Sequence, residues 1–173
     1  LPGAVASPLT RGDHEEAQAV HTENRIEISA EIDRIVELAT DVERWPEILP
    51  HYRWVTLLEG GGDRKVVEMA ARRDRIPVRW RAIQEIEQGA GTPVIRYRHI
   101  GGVTKGMEVA WTFERSGSGY LVRIDHQLRL PWPVIGGLVA DRIIGPYFVG
   151  HIAGTTLATI KRIAESNDEL TLG

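Results

Sequence analysis

The sequence contains no cysteine and no long run of apolar residues. Without cysteine the chain cannot form a disulfide, a thiolate metal site or a cysteine nucleophile. No apolar segment approaches the ~18 residues of a membrane-spanning helix, so the sequence predicts no membrane span. The lack of cysteine fits a reducing compartment, and we expect a cytoplasmic protein.

The sequence also lacks a block of charge of one sign. Its 21 Lys and Arg residues are mixed with 24 Asp and Glu residues, and the net charge is −3. A surface that follows a phosphate backbone needs clustered basic residues, so we expect no nucleic-acid partner. The 173 residues, 42% hydrophobic and 26% charged, are instead typical of one globular domain.

Sequence motifs for metal, phosphate and nucleophile sites are missing as well. There is no HExxH or comparable metal-ligand spacing. The triple glycine at 60–62 lacks the GxxxxGK[ST] pattern of a phosphate-binding loop and is more typical of a turn. No serine lies in a G-x-S-x-G elbow. We therefore expect no metal and no cofactor.

The chain begins with an appendage, residues 1–21, that is punctuated by proline and glycine. Alternating apolar residues predict a first strand over 22–28. Helical spacing of apolar residues then predicts a helix capped by Ser29, and Asp41 is expected to cap a second short helix that ends at Pro50.

In the middle of the chain, apolar and polar residues alternate as they do in β-strands. Six further strands are predicted over 52–59, 65–73, 78–87, 94–100, 107–114 and 120–130. Short glycine-rich segments separate several of them and suit antiparallel hairpins.

A long helix is predicted over 134–165, bent near Pro146, before a tail at 169–173. Several glycines interrupt its pattern at some cost to helix stability. They either allow the sheet to approach closely or leave room for a ligand.

The order of elements predicts an α+β domain over residues 22–168. A curved seven-stranded antiparallel sheet would wrap over the long C-terminal helix, with two short helices after the first strand. A cavity between sheet and helix is expected.

Two segments resemble a known superfamily. Residues 41–50 read DVERWPEILP and resemble the D-V/I-E-x-W/Y-P-E segment of the polyketide cyclase and START-like (SRPBCC) superfamily. Residues 107–113 read MEVAWTF and are similar to a strand of the bacterial aromatic polyketide aromatase/cyclases. The order of elements matches over 22–165. The resemblance implies a helix-grip fold with a deep pocket between the sheet and the long helix.

Two branches of that superfamily imply different functions. The aromatase/cyclases fold and dehydrate poly-β-ketone chains, whereas the coenzyme Q-binding START-like proteins carry a polyprenyl quinone. Tyr52 lies seven residues after Trp45, where the cyclases have a pocket tyrosine. If Trp80 matches the cyclases' strand tryptophan, their pocket arginine is replaced by Gln84, which supplies neither a cation nor a titratable proton. We therefore predict binding of a lipophilic or aromatic small molecule, with an aromatase/cyclase as the alternative.

Two histidines lie on apolar strand faces. His126 shares a face with Ile124 and Leu128, and His99 shares one with Tyr97. Each is either a hydrogen-bonded core histidine or a pocket group that anchors a ligand or transfers protons. The candidate catalytic residues are Tyr52 and His126.

The remaining candidates are expected to contact the ligand. Tryptophans spread over several strands suit a flat ligand but also suit core packing. Arg73 either faces solvent with its neighbouring arginines or points into the pocket and holds a ligand carbonyl or carboxylate. The full predicted ligand-binding set is Trp45, Trp54, Met69, Arg73, Trp80, Gln84, Tyr97, His99, Trp111, Phe113, Ile143 and Tyr147.

Overall fold

The computed structural model of the protein describes residues 19–73, 76–89, 91–102, 104–129 and 146–168. The predicted appendage up to residue 18, the first part of the predicted long helix (134–145) and the tail at 169–173 lie outside these residues. Ile143 belongs to that undescribed part.

Seven strands form one antiparallel sheet. They are β1 (Ala19–Ile28), β2 (Tyr52–Gly61), β3 (Arg64–Arg73), β4 (Ile76–Glu87), β5 (Val94–Gly102), β6 (Met107–Ser116) and β7 (Gly119–Arg129). Their order across the sheet is β1-β7-β6-β5-β4-β3-β2. Consecutive strands from β2 to β7 are neighbours, and β1 completes the sheet beside β7. The predicted seven-stranded antiparallel sheet is confirmed.

Two tight hairpins depend on glycine. Gly117 connects β6 to β7 with φ +55°, and Gly102 at the end of β5 has φ +83°. A Cβ on Gly102 would lie 2.3 Å from the carbonyl oxygen of Arg79. Glycine is therefore required there for the close approach of β4 and β5 as well as for its backbone conformation.

The segment after β1 contains α1 (Ile32–Thr40), a 3₁₀ turn (Val42–Arg44) and α2 (Trp45–Ile48). The predicted cap at Ser29 was wrong. α1 begins three residues after Ser29, with Glu31 at its N-cap, and the Ser29 N–H donates instead to the Glu165 carboxylate (2.9 Å). Asp41 occupies the N-cap position of the 3₁₀ turn, as predicted for the second short helical segment, but its side chain makes no capping hydrogen bond.

The C-terminal helix α3 (Pro146–Asp168) confirms the second part of the predicted long helix. It packs mainly against β1, with its apolar side chains on the same face of the sheet as the core. The Asn24 amide donates to the Gly150 carbonyl (3.1 Å), and a Cβ on Gly154 would lie 3.4 Å from the same amide nitrogen. Helix and sheet are therefore in contact at these two positions, although an added Cβ would meet only ordinary van der Waals distances. None of the described helices is long and apolar enough to cross a membrane.

The sheet has an apolar inner face and a charged outer face. On β7, Val122, Ile124 and Leu128 are buried, as the alternation predicted. On the outer face, Arg79 and Arg81 both pair with the Glu68 carboxylate (2.7 and 2.8 Å). These two arginines belong to a solvent-facing network. The inner face, covered by α2 and α3, is where a cavity can form.

Candidate functional site

A cavity of about 80 Å³ lies between the inner face of the sheet, α2 and α3. Five of the predicted aromatic residues line it: Trp45, Tyr52, Trp80, Tyr97 and Trp111. Met69, His99 and His126 of the predicted set line it as well. The structure brings these eight side chains together, although they come from α2 and from six different strands.

Trp54 does not line the cavity, so the expectation that it faces the pocket was wrong. The pairing of β2 with β3 shifts between Tyr52 and Trp54, and this bulge breaks the alternation of side chains. Trp54 therefore turns to the outer face, where the Arg79 guanidinium lies 5.9 Å from its ring centroid.

Gln84 and Phe113 are on the inner face but do not line the cavity either. Phe113 is a buried core residue, and Gln84 has no exposed surface. Gln84 lies directly across from Tyr97 in the pairing of β4 with β5. Their side chains are hydrogen-bonded, so Gln84 is engaged in the core instead of facing the cavity. Ile143 and the side chains of Arg73 and Tyr147 lie outside the described part of the chain.

The C-terminal end of α1 is held by three buried side chains. The last carbonyl groups of a helix have no partner within the helix. Here the Trp45 indole N–H donates to the Leu38 carbonyl (2.9 Å) and the Tyr97 hydroxyl donates to the Ala39 carbonyl (3.2 Å). Gln84 donates to the Thr40 carbonyl (3.1 Å) and to the Tyr97 hydroxyl (2.8 Å). These bonds fix the orientation of two aromatic rings in the cavity wall.

The aromatic rings pack against one another around Trp45. Its ring centroid is 4.9 Å from that of Tyr52, 6.3 Å from that of Tyr97 and 6.2 Å from that of Trp111. Tyr52 in turn contacts Trp80 at 6.1 Å. The cavity therefore has a continuous aromatic wall that is anchored to α1.

The two histidines of the cavity wall are neutral; His99 is buried, and His126 is partly buried. His99 stacks on Trp80 with an interplanar angle of 8°, and its Nδ1 lies 2.6 Å from the Thr104 hydroxyl. Burial lowers the pKa of His99 to about 3 and that of His126 to about 4. For His99, a charge on His126 would lower the pKa further, so the two histidines disfavour each other's protonation.

Among the described residues of the cavity wall, Tyr52 is the one phenol that is not engaged in capping α1. Burial raises its pKa well above the usual range, and the nearby Thr156 hydroxyl opposes that shift only in part. The group is therefore a neutral hydrogen-bond donor at physiological pH. It is suited to donate to a ligand oxygen and is not suited to act as a base.

Sequence reasoning missed three polar residues of this region. Thr104 and Thr156 line the cavity, and His51 reaches Thr156 with its Nε2 (2.9 Å). Burial lowers the pKa of His51 to about 4. Thr156 could have been found, because it is four residues after Ile152 on the helix and so shares its cavity face. Thr104 lies in the loop between β5 and β6, where no periodic pattern predicts whether its side chain faces the cavity.

The described cavity wall carries no Asp, Glu, Lys or Arg side chain. No group of three or more potential metal-ligating side chains occurs among the described residues. Together with the neutral histidines and tyrosines, this makes an uncharged cavity whose described wall combines five aromatic and seven aliphatic side chains with a few hydroxyl and imidazole groups. Such a surface suits a flat, uncharged molecule.

Comparison with known proteins identifies the family. The family model "Polyketide cyclase / dehydrase and lipid transport" matches residues 28–144, which is more than half of the chain. The chain belongs to this family. A putative polyketide cyclase of Streptomyces halstedii is 31% identical to it over 106 residues, which cover 61% of this chain and 97% of that protein.

Solved structures confirm the helix-grip fold. The Zhui aromatase/cyclase from Streptomyces sp. R1128 superposes with a TM-score of 0.70 at 21% identity, covering 86% of this chain and 94% of that one. A STAR-related lipid transfer protein from Xanthomonas axonopodis gives a TM-score of 0.61 at 12% identity, covering 84% and 85%. At these identities the likeness shows the fold alone. The predicted membership of the SRPBCC superfamily is confirmed.

The capping of α1 predicts a specific loss of stability in Tyr97→Phe. This change leaves the buried Ala39 carbonyl without its donor, so the free energy of unfolding should fall by about 1–3 kcal/mol. Urea unfolding of both proteins measures the difference. Tyr120→Phe is the control: among the described residues its hydroxyl accepts from Arg115, whose exposed side chain can bond to water after the change, so the loss should be less than about 0.5 kcal/mol. Equal losses in the two variants would contradict the role given to Tyr97.

The buried histidines predict how stability depends on pH. Their folded-state pKa lies below the ordinary histidine value of 6.5, so the unfolded chain binds protons first as pH falls. Their contribution to stability is therefore complete above pH 6.5 and is lost as pH falls from 6.5 towards 4. NMR titration should show the His99 and His126 ring signals still in the neutral form at pH 5. Midpoints near 6.5 for both rings would show that they are solvated.

Proposed function

We propose that the protein binds an uncharged, flat, aromatic or polyketide-like small molecule in the cavity between the sheet and α3. The observation that carries this proposal is the aromatic wall around Trp45, which contains no charged side chain among the described lining residues. A buried charge without a partner is costly, so such a wall selects against charged ligands. Offset and edge-to-face contacts with the rings favour flat ones.

Membership of the family supports the same class of ligand. Its description joins cyclase and dehydrase activity with lipid transport, and all of these require a hydrophobic molecule to enter the protein. The curated relative from Streptomyces halstedii carries the name of a putative polyketide cyclase. Apolar burial would supply most of the affinity, at about 25 cal/mol per Å² before the costs of ordering the complex.

The size of the cavity limits how such a ligand binds. About 80 Å³ is well below the roughly 300–1,000 Å³ of pockets that enclose drug-sized ligands. A molecule of two or more fused rings therefore requires the cavity to widen. The sheet is held by continuous strand pairing, whereas α3 rests on it through side-chain packing and few hydrogen bonds. Widening is easier by movement of α3 than by deformation of the sheet.

Cyclisation of a poly-ketone is the second candidate function, and Tyr52 favours it. Its phenol is a neutral donor in the cavity wall, beside the Thr156 hydroxyl. Such a donor can stabilise the oxygen of an enolate as it develops negative charge during aldol condensation. The histidines would be weak general bases, since their pKa is far below neutral pH. Binding is therefore the primary proposal, and catalysis would rest on the shape of the cavity and on this donor.

A matched pair of ligands tests the primary proposal. 2-Acetylnaphthalene is neutral, whereas 2-naphthoate has a similar shape and is an anion at pH 7. We expect saturable quenching of tryptophan fluorescence by the ketone, with at least about tenfold weaker binding of the carboxylate because its charge would be buried without a partner.

Two substitutions locate that binding. Ala153→Leu adds three carbon atoms to the cavity wall and should weaken binding of the ketone. Ala110→Leu adds the same atoms on the outer face and should leave binding unchanged. No saturable quenching by the ketone in the folded protein, or equal effects of the two substitutions, would contradict the proposal.

Tyr52→Phe separates binding from catalysis. If the protein only binds its ligand, loss of one hydroxyl should change affinity by about 0.5–1.5 kcal/mol, and no cyclised product should form from a poly-β-ketone thioester with either protein. If the protein is a cyclase, turnover should fall at least about tenfold while affinity is nearly retained. Product analysis by mass spectrometry and a parallel binding titration decide between the two. Cyclisation that persists unchanged in Tyr52→Phe would exclude the proposed role of the phenol.

A further inference from the structure

On the inner face of the β1–β7 pair, three buried polar atoms have no hydrogen-bond partner among the described residues. They are Oγ1 of Thr22, Oδ1 of Asn24 and Nδ1 of His126. Native proteins pair the large majority of such atoms, because each unpaired one costs about 1–3 kcal/mol. A group of three in one place therefore points to a partner of matching chemistry.

The strand pairing brings the three side chains together. Thr22 on β1 lies directly across from His126 on β7, and Asn24 is two residues further along β1. Side chains directly across an antiparallel pair have Cβ atoms about 4.5–5.5 Å apart, and residues i and i+2 share a face. All three side chains therefore belong to one patch of the inner face.

This patch adjoins the cavity and lies under the start of α3. His126 lines the cavity together with Ile124 from the same strand. The amide nitrogen of Asn24 bonds to the Gly150 carbonyl, and the glycine positions of α3 place no side chain over the patch. A widening of the cavity between α3 and the β1–β7 pair would join the patch to it.

We propose that Thr22, Asn24 and His126 form a polar end of the cavity that binds a hydroxyl group, so that the ligand is a hydroxylated aromatic molecule such as a phenol or an enol. This inference rests on the proposed binding function. A hydroxyl donates one hydrogen bond and accepts others, and it can therefore serve the Asn24 carbonyl oxygen and the Thr22 hydroxyl together. A ketone oxygen only accepts and would leave the Asn24 oxygen unpaired. A water molecule offers the same chemistry as the hydroxyl when no ligand is bound.

A ligand pair and a substitution test the inference together. 2-Naphthol and 2-methylnaphthalene have nearly the same shape, and only the first carries a hydroxyl. Thr22→Val removes the protein's hydroxyl with little change of shape. Calorimetric titration of both compounds into both proteins gives the ratio of their affinities in each. Comparing this ratio between the two proteins cancels the different solubilities of the two compounds. The affinity for 2-naphthol relative to that for 2-methylnaphthalene should fall at least about fivefold in Thr22→Val.

Two further variants make the result specific. Thr112→Val makes the same change on the outer face of β6 and should leave the ratio as in the unmodified protein. Thr156→Val alters the α3 side of the cavity. A shift in Thr156→Val without one in Thr22→Val would place the ligand hydroxyl elsewhere and overturn the inference. An unchanged ratio in Thr22→Val would also overturn it, since the patch would then hold water only.

The unmodified protein provides a second test if Thr22→Val does not fold. 2-Naphthol should shift the ¹⁵N signal of His126 Nδ1 at saturation, whereas 2-methylnaphthalene should not. Equal shifts with both compounds would contradict the hydroxyl site while leaving the proposed binding function intact. Binding of neither compound would contradict both proposals.

Discussion

The buried C-terminal end of α1 is the constraint on which the site depends. A helix end that is removed from water must find donors for its last carbonyl groups. Here the donors are the Trp45 indole, the Tyr97 hydroxyl and the Gln84 amide. The same two rings that satisfy the helix form part of the cavity wall. The orientation of the aromatic surface is thus set by backbone chemistry and not by ring packing alone.

This constraint also decides which groups of the site remain free for chemistry. Tyr97 is engaged with α1 and Gln84, whereas Tyr52 contacts its neighbours mainly by ring packing. Of the two phenols in the cavity wall, Tyr52 is therefore the one that can reorganise its hydrogen bonds when a ligand enters. Low polarity keeps both phenols and the histidines neutral, so the site can hold carbonyl and hydroxyl groups but not ions. These properties agree with a family described by polyketide chemistry and lipid transport.

Much of the fold could be predicted from the sequence because alternation in β5, β6 and β7 is regular. It correctly assigned Tyr97, His99 and His126 to the apolar faces of their strands. The predictions were wrong where a local feature interrupts the regular pattern of side chains along a strand or helix. The bulge in β2 moves Trp54 to the outer face. The Ser29 N–H donates to the Glu165 carboxylate, and α1 begins only after Glu31.

The role of Gln84 could not be read from the sequence either. Alternation gives its face, but only the position of α1 shows that its amide serves the helix end and not a ligand. The comparison of sequence positions showed only that Gln84 replaces the pocket arginine of the cyclases, and so that a cation is missing at this position. In the structure, the Gln84 amide connects the end of α1 to the Tyr97 hydroxyl. Loop residues such as Thr104 were missed because they belong to no periodic element.

The location of a bound ligand decides whether the inner cavity is the functional site. A crystal structure of the protein with 2-acetylnaphthalene should show the ring system between the aromatic wall and α3, in contact with Trp80 and Ile152, with α3 displaced from its position in the ligand-free protein. A ligand bound instead in the charged groove on the outer face, beside Arg98 and Glu108, would contradict the claim that the inner cavity is the functional site.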